Sequence, residues 1–242
     1  MTATPPLLTV VILAGGLATR LGDVARTQPK CMVDVAGQPF LFHQLQRLRE
    51  EGVRQVVICL GHLGEQVVDA VGDGSGFGLQ IQYSFDGPCL VGTAGAIRRA
   101  LHLLPDQFFV LYGDSYLTCP FSAVQDVFQT SGKWSLMTVF ENNLQWDTSN
   151  VEFQAGRILA YNKTLRTPRM KHIDYGLGLF GRSAFEDIPE DCPTDLASLY
   201  QDLLDRDQLA AFEVFERFYE IGSHAGLAAT RQFLTGQPIQ TF

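Results

Sequence analysis

The segment from residue 13 to residue 30 combines residue types that suit the binding of phosphate groups. It reads L-A-G-G-L-A-T-R-L-G-D and, after a spacer, Q-P-K-C-M. Glycines such as Gly15 and Gly16 let backbone N–H groups approach phosphate oxygens, and Arg20 with Lys30 supplies the positive charge that a triphosphate requires. The alternative is a tight glycine turn with two solvated cations. The density of glycines and cations in one segment favours the phosphate site.

Two common phosphate-binding loops do not fit this segment. A P-loop places a lysine followed by serine or threonine after its second glycine, and the dinucleotide fingerprint is G-x-G-x-x-G at the start of a helix. Neither spacing occurs in residues 13–30. The sequence therefore indicates a phosphate loop of another kind.

Asp114 is the carboxylate best placed to hold a metal ion. The apolar run at residues 108–112 predicts a buried strand, and Gly113 and Asp114 follow it directly. Open α/β sheets bind ligands at the carboxyl ends of their strands, and Mg²⁺ prefers carboxylate and phosphate oxygens. The alternative is that Asp114 only caps the next turn.

Alternating strands and helices must position these residues. Strands are predicted at residues 9–13, 55–60, 79–85 and 108–112, and helices run from Pro39 to Gly52 and over residues 65–71 and 93–103. Apolar strands separated by helices indicate a mostly parallel sheet that is covered on both faces. After a helix at residues 121–128 the chain is strand-rich, at residues 134–140, 151–154, 157–161 and 173–180, with a hairpin turn at Ala155 and Gly156. A helix at residues 196–204, a strand at 211–215 and a helix at 225–234 complete the pattern.

Composition narrows the function classes. The chain has 242 residues, 46% of them hydrophobic and 18% charged, which is typical of a folded globular protein. A net charge of −8 argues against nucleic acid as a partner. The N-terminus has no basic residue before an apolar run that glycines interrupt, so we expect no signal peptide, no membrane span and a cytoplasmic location. Five cysteines without a C-x-x-C pair and five unpaired histidines indicate neither disulfides nor zinc.

Motifs along nearly the whole chain resemble those of the sugar 1-phosphate nucleotidyltransferases. The family signature L-A-G-G-x-G-T-R-L, spacer, P-K-P-M matches residues 13–21 and 29–32, with Ala18 in place of a glycine and Cys31 in place of a proline. The similarity continues through P-F-L, G-T-A-G-A-I, F-F-V-L-Y-G-D and H-I-D-Y-G-L-G-L-F. Within the family, the chain is most similar to short enzymes that make GDP-activated heptose from D-glycero-D-manno-heptose 1-phosphate.

This resemblance implies a fold, a reaction and a cofactor. The fold is a Rossmann-like nucleotidyltransferase fold, a single domain over residues 1–242 with a nucleotide-binding half (about 1–130) and a smaller, β-rich sugar-binding half (about 131–242). The reaction joins a nucleoside triphosphate, here GTP, to a sugar 1-phosphate with Mg²⁺ and releases pyrophosphate. Alternatives are a cytidylyl- or uridylyltransferase on another sugar phosphate or phosphocholine, and a non-catalytic sugar-nucleotide-binding regulatory protein. No oligomeric state follows from the sequence.

The resemblance also assigns roles to individual residues. Arg20, Lys30 and Asp114 would be catalytic, and Asp114 with Glu220 would hold the metal, although the family usually has aspartate at the second position. The sugar phosphate would contact Lys163, Asp174 and Gly176, where Asp174 replaces a family asparagine and Asn162 replaces the glutamate before Lys163. The nucleotide would contact backbone or side chain at Leu13, Ala14, Gly15, Gly16, Thr19, Gly92 and Thr93.

Overall fold

The computed structural model describes residues 6–16, 27–87, 91–189 and 193–236. These residues form helices and strands that alternate in the first half of the chain. The α-helices are α1 (Phe40–Glu51), α2 (Gly64–Val71), α3 (Gly92–Ala100), α4 (Phe121–Ser131), α5 (Leu196–Asp205) and α6 (His224–Leu234). The strands are β1 (Val10–Leu13), β2 (Asp34–Val35), β3 (Gln38–Pro39), β4 (Gln55–Leu60), β5 (Gln80–Phe85), β6 (Gln107–Tyr112), β7 (Ser115–Tyr116), β8 (Ser135–Glu141), β9 (Val151–Gln154), β10 (Arg157–Tyr161), β11 (His172–Gly181), β12 (Leu209–Val214) and β13 (Tyr219–Glu220).

Nine of these strands form one mixed sheet. Its order is β5-β4-β1-β6-β11-β8-β12, and the β9–β10 hairpin pairs with the start of β11. β5, β4, β1 and β6 are parallel, β11 is antiparallel to both β6 and β8, and β12 is parallel to β8. β11 is thus the strand that reverses direction within an otherwise parallel row of seven. The β-rich second half extends the sheet of the first half.

Both faces of the sheet are covered by helices. Val10 and Ile12 of β1 pack into a core cluster with residues of α1, α2 and α4, whereas Val11 packs into a second cluster with residues of α3 and α5. Since successive strand residues point to opposite faces, an uninterrupted apolar run requires cover on both sides. The predicted two-faced sheet is confirmed.

The predicted elements are present, with their ends shifted by at most three residues. The helix predicted over residues 93–103 is α-helical only to Ala100 and finishes as a 3₁₀ turn, Leu101–Leu103. Ala155 and Gly156 have φ of 49° and 78°, which is the geometry of a tight hairpin turn. The two-residue pairs β2–β3 and β7–β13 were not predicted, because such short strands have no periodic pattern. None of the described helices has the length and apolarity to cross a membrane.

Candidate active site

A cavity of about 330 Å³ opens at the carboxyl ends of β1 and β6, which are neighbours in the sheet. From β1 the chain continues toward β4 and β5, and from β6 it continues toward β8 on the other side. Open α/β sheets form a crevice at this point because the connections leave in opposite directions. The cavity wall consists of segments after β1, β5 and β6 and the starts of α3 and α5. Its residues are Leu13, Ala14, Gly15, Gly16, Lys30, Cys31, Asp86, Gly92, Thr93, Ala96, Tyr112, Gly113, Asp114 and Asp195.

Close packing of the loops after β1 and β6 holds Asp114 against the glycine loop. The Gly113 N–H donates to the Leu13 carbonyl at 3.0 Å. A Cβ at Gly113 would lie 2.7 Å from that carbonyl oxygen and 3.1 Å from Ala14 Cα. Only glycine allows this approach, so the G-D pair after β6 fixes the position of the carboxylate beside the loop.

Lys30 and Asp114 form an ion pair on the cavity wall. Lys30 begins a 3₁₀ turn (Lys30–Met32), and its Nζ donates to Asp114 Oδ2 at 2.5 Å. The Lys30 and Asp114 side chains are 19% and 37% exposed, so the pair remains accessible from the cavity. Cys31 faces the same wall, and burial raises the pKa of its thiol to about 12, which keeps it protonated and unreactive at neutral pH.

Glu220 reaches Asp114 through a strand pair that joins distant parts of the chain. β13 pairs antiparallel with β7, which sets Glu220 opposite Ser115, and the Ile221 N–H donates to the Asp114 carbonyl at 3.0 Å. The Glu220 carboxylate accepts from the N–H groups of Gly222 and Ser223 and from Ser223 Oγ. Ser223 is the N-cap of α6, so the carboxylate lies at the positive end of that helix.

Three charged groups converge beside Gly222. A Cβ at Gly222 would lie 2.8 Å from Glu220 Oε2, 3.0 Å from Lys30 Nζ and 3.5 Å from Asp114 Oδ2. Two carboxylates and an ammonium group thus surround one point at the cavity edge. An all-oxygen pair of this kind fits Mg²⁺, which takes a few carboxylate oxygens and completes its shell with phosphate and water. Within the described ranges, no cluster of three or more His, Cys, Asp and Glu side chains competes for a metal.

Gly92 and Thr93 line the cavity, but packing against residues 194–195 occupies the backbone groups near them. Gly92 has φ of +75°, and a Cβ there would lie 2.5 Å from the Thr194 carbonyl oxygen. That carbonyl accepts from the N–H groups of Ala94 and Gly95, and Asp195 Oδ1 accepts from the Thr93 N–H at 3.4 Å. The N–H groups of these three residues are therefore already bonded, and Gly92 is required by the α3–α5 contact itself.

Lys163, Asp174 and Gly176 meet around Tyr112, whose side chain also lines the cavity. Lys163 Nζ lies 5.4 Å from the centroid of the Tyr112 ring, and Cδ2 of that ring is 3.6 Å from the position of a Cβ at Gly176. Gly176 has φ of +103° within an irregularity of β11 between Asp174 and Gly178. Burial raises the pKa of Asp174, while the positive charge of Lys163 and the Gly176 N–H oppose the shift.

Tyrosine hydroxyls surround the Asp174 carboxylate. The hydroxyls of Tyr112 and Tyr161 are buried and have no hydrogen-bond partner among the residues that the structure describes. Burial, together with the negative charge of Asp174, raises the pKa of Tyr161 and Tyr200. These two hydroxyls therefore keep hydrogen-bonding capacity that their described neighbours do not use.

Asn162 has a local structural role. Its Oδ1 accepts from the N–H groups of Thr164 at 2.9 Å and Leu165 at 2.8 Å. This arrangement is an Asx turn, which orients the chain after β10 and so sets the direction of Lys163.

Arg20 and Thr19 lie outside the described residues. The remaining residues predicted to be catalytic or to bind the nucleotide all line the cavity. The residues predicted to bind the sugar phosphate or to be the second metal ligand lie next to it; they are Lys163, Asp174, Gly176 and Glu220. Sequence reasoning missed Asp86, Tyr112 and Asp195, which the structure places on the wall. Asp86 carried a usable signal, because it directly follows an apolar strand as Asp114 does. Asp195 carried none, since an aspartate before a helix is most simply a cap.

Comparison with known proteins gives one family match and several related chains. Residues 9–149 match the model of a family described as nucleotidyl transferase. Over 122 residues the chain is 41% identical to the N-acetylmuramate alpha-1-phosphate uridylyltransferase of Neisseria meningitidis serogroup B, covering 50% of this chain and 52% of that enzyme. The chain spans about half the length of the first curated relatives it matches.

Solved structures confirm the Rossmann-like α/β fold. A candidate glucose-1-phosphate thymidylyltransferase from Bacillus anthracis, in complex with sucrose, has a TM-score of 0.85 at 18% identity, over 96% of this chain and 97% of that one. HddC from Yersinia pseudotuberculosis, in complex with GMP-PN, has a TM-score of 0.76 at 23% identity, over 94% and 100%. At these identities the likeness shows the fold.

Proposed function

We propose, because this chain belongs to the nucleotidyl transferase family, that it transfers a nucleoside monophosphate from a nucleoside triphosphate to a sugar 1-phosphate and releases pyrophosphate. The observation that carries the proposal is the convergence of Lys30, Asp114 and Glu220 at one point beside a glycine-lined cavity. The ammonium group can bind a negatively charged phosphate, and the two carboxylates can bind the metal ion that accompanies a nucleoside triphosphate.

The chain's residues would act by alignment and charge neutralisation. An oxygen of the sugar 1-phosphate attacks the α-phosphorus, the bond from that phosphorus to the bridging oxygen of the β-phosphate breaks, and pyrophosphate leaves. The attacking phosphate is already anionic, so no general base is required. Lys30, together with Arg20, would neutralise the triphosphate, and Lys163 would hold the sugar phosphate near Tyr112.

Asp114 and Glu220 would hold Mg²⁺, which supplies positive charge to the phosphate oxygens when it is bound. A carboxylate has about four acceptor positions. Glu220 uses three of them for Gly222 and Ser223, so about one remains for a cation. The extra methylene of glutamate, relative to the family aspartate, allows the side chain to reach both the helix N-terminus and the cavity edge.

The proposed substrates are GTP and a heptose 1-phosphate, on the motif resemblance to the short heptose enzymes. The 41% identity to a uridylyltransferase supports UTP and N-acetylmuramate 1-phosphate as the second candidate pair. Asp174, in place of the family asparagine, removes a hydrogen-bond donor and would change which sugar hydroxyl is recognised.

A pyrophosphate-release matrix tests the proposal. Four nucleoside triphosphates are combined with a panel of sugar 1-phosphates and phosphocholine, with Mg²⁺ or with EDTA. We expect release with one nucleotide–sugar pair, loss in EDTA, and a fall of roughly a hundredfold in Asp114→Asn and in Arg20→Ala, about 3 kcal/mol of transition-state stabilisation. The exposed Asp126→Asn on α4 is the matched control and retains activity.

Three results of this matrix would contradict the proposal. Full activity of both Asp114→Asn and Arg20→Ala would overturn the site assignment. Activity that is unchanged in EDTA would overturn the metal assignment. Stabilisation by nucleotide sugar without turnover at any metal concentration would instead support a non-catalytic sugar-nucleotide-binding regulatory protein.

A further inference from the structure

β12 is an edge strand of the main sheet and lacks the features that usually prevent edge strands from pairing. Among the described strands it pairs only with β8, over six consecutive residues without a register shift. Natural proteins commonly protect such edges with lysine, proline or a β-bulge. β12 has none of these, and the carboxylate of its one charged residue, Glu213, lies 3.2 Å from His172 Nε2. Its open side can therefore accept a further strand.

The backbone groups of alternate residues point toward this open side. The Gln208 carbonyl accepts from the N–H of Ser135, the first residue of β8, so the even-numbered positions bond to β8. In a strand, the N–H and C=O of one residue point to the same side, and those of the next residue point to the other. The N–H and C=O groups of Ala211 and Glu213 thus face away from β8, and no other group in the described part of the chain binds them. They form the row of donors and acceptors that a further strand needs.

A groove of about 840 Å³ runs along the first half of β12. The C-terminal half of α4 forms one wall, β10 forms the other, and residues 209–211 of β12 lie between them. The charged side chains that line the groove balance one another, since there are two cations and two anions; they are Lys133, Arg157, Asp205 and Asp207. The groove is also partly apolar, because Leu159 of β10 is 51% exposed there. It suits an uncharged, apolar occupant.

Phe215, which follows β12 directly, offers such a group. Its side chain is 84% exposed, more than any other large apolar side chain that the structure describes. Leu209 and Ala211 pack on the face of the sheet that α5 and β10 cover. Phe212 and Val214 pack on the face that α4 covers. Since side chains alternate along an extended chain, Phe215 lies on the same face as Leu209, which is the face on which β10 forms the wall of the groove.

Two copies of β12 can pair antiparallel about a two-fold axis at Phe212. Ala211 of each copy is then opposite Glu213 of the other, and Leu209 is opposite Phe215. These are residues whose backbone groups face the open side, so each pair can exchange two hydrogen bonds. Opposite side chains lie on the same face of the extended sheet, about 5 Å apart. Phe215 of each copy thus enters the groove beside Leu209 of the other copy.

Neighbouring registers are less favourable. A shift of the axis by one residue toward the end of β12 sets Glu213 directly opposite Glu213 of the other copy, which is a like-charge contact. A shift toward its start sets Phe215 opposite Asp207, whose carboxylate binds Lys133 at 2.8 Å and Arg157 at 3.7 Å. An aromatic ring would there meet an ion-pair network in place of an apolar wall. The strand and the groove together select the first register.

Such an interface would bury an area near the lower limit for specific dimers. Residues 209–215 span about 24 Å, and a strip of that length and about 10 Å deep amounts to about 500 Å² over both copies. The two Phe215 rings, together with the groove surface that they cover, add about 700 Å². Specific interfaces bury roughly 1,200–2,000 Å² in total. We therefore expect a dimer that dissociates in the micromolar range.

We infer that two copies of this chain associate through β12, with Phe215 of each copy in the groove between β10 and α4 of the other. The main sheets of the two copies then continue into each other. None of the described residues lines both this groove and the active-site cavity, and the inference does not rest on the proposed function.

Sedimentation velocity from about 1 to about 200 µM tests the association, with half dissociation expected at about 10 µM. Phe215→Glu should raise the Kd of the dimer at least a hundredfold, because the substitution acts twice in a symmetric dimer and each copy loses a buried ring. Leu165→Glu is the matched control, since Leu165 is 76% exposed and lies outside the groove, and it should leave the Kd unchanged. Circular dichroism checks that both variants fold.

Hydrogen exchange of the wild-type protein tests the strand pairing without any variant. The amides of Ala211 and Glu213 should exchange roughly fivefold more slowly at about 200 µM than at about 1 µM, because most copies are then paired. β5, at the opposite edge of the sheet, is the internal control, and its exchange should not depend on concentration.

Three outcomes would overturn the inference. A wild-type monomer at every concentration would leave β12 to a strand from another protein. A dimer that Phe215→Glu and Leu165→Glu weaken equally, or that neither weakens, would place the contact elsewhere. Dimerisation without concentration-dependent protection of Ala211 and Glu213 would exclude the pairing of β12. If Phe215→Glu does not fold, the exchange measurement on the wild-type protein decides alone.

Discussion

The position of the Glu220 carboxylate can be tested by adding one methyl group to the chain. Gly226 lies in the first turn of α6, and a Cβ there would overlap with Glu220 Oε1 and lie 2.8 Å from the Glu220 carbonyl oxygen. In Gly226→Ala the carboxylate must therefore leave the N-terminus of α6. It would lose the hydrogen bonds from Gly222 and Ser223 that now hold it.

The balance of energies predicts a net loss of stability. Hydrogen bonds to a charged acceptor contribute about 1.5–3 kcal/mol each, and three are broken. Two effects oppose this loss. Alanine stabilises a helix by about 1 kcal/mol relative to glycine. The displaced carboxylate also forms hydrogen bonds with water, because Glu220 is only half-buried. We expect a net loss of about 2 kcal/mol in the free energy of unfolding, which lowers the Tm by roughly 5 °C in a chain of this length. Pyrophosphate release should fall roughly a hundredfold, since the carboxylate moves away from Asp114.

Calorimetric Tm and pyrophosphate release are measured on Gly226→Ala and on a matched control. Gly76→Ala is that control, because nothing lies within 4 Å of the added Cβ and its φ is not in the left-handed region. A Tm for Gly226→Ala that equals or exceeds that of the wild type would refute the reasoning, since helix propensity alone predicts such a gain. A lowered Tm with full activity would contradict the proposed role of Glu220 in holding the metal.

Three further substitutions test other parts of the site. Gly92→Ala should lower the free energy of unfolding, measured by urea denaturation, by about 3 kcal/mol, because φ is +75° and the added Cβ would lie 2.5 Å from the Thr194 carbonyl oxygen. A loss of less than about 1 kcal/mol would contradict this steric argument. Asp174→Asn should raise the Tm at pH 7, because burial raises the pKa of this carboxyl and penalises its ionised form in the folded state only. That gain should shrink as the pH falls and vanish only below the ordinary aspartate pKa of about 3.9, near pH 3, where both states are protonated. A gain independent of pH would rule out ionisation as the cause. Lys163→Met should raise the KM for sugar 1-phosphate about tenfold without changing the KM for nucleotide, and equal changes in both would contradict its place beside Tyr112.

Residues close together along the chain made part of the site predictable. The glycines after β1, Lys30 in the motif after the loop, and Asp114 after β6 are all local features of apolar strands and the turns that follow them. Parallel strands end at one edge of the sheet, so residues after β1 and β6 meet without further information. The same rule applied to β5 would have added Asp86. Tyr112 was missed because an aromatic residue at a strand end is most simply part of the core.

Contacts between distant segments were beyond the reach of sequence patterns. A two-residue strand pair brings Glu220 beside Ser115, and no periodic signal marks either strand. Gly92 was predicted to contact the nucleotide. The structure shows that a glycine is required there because a side chain would collide with the backbone of Thr194, about a hundred residues later in the chain. Which backbone groups are already bonded, and therefore unavailable to a ligand, depends on that packing.

Apolar periodicity and turn residues act over a few neighbouring positions, so the α/β alternation, the two-faced sheet and the glycine-rich turn after β1 could be predicted from the sequence. How the second half of the chain meets the first depends on tertiary contacts. The tertiary structure sets Glu220 and Lys30 around one point at Gly222 and brings Lys163 and Asp174 close to Tyr112. It also makes Asp86 part of the cavity wall. These arrangements depend on the order of strands in the sheet and on steric fit between loops, which a linear pattern does not encode.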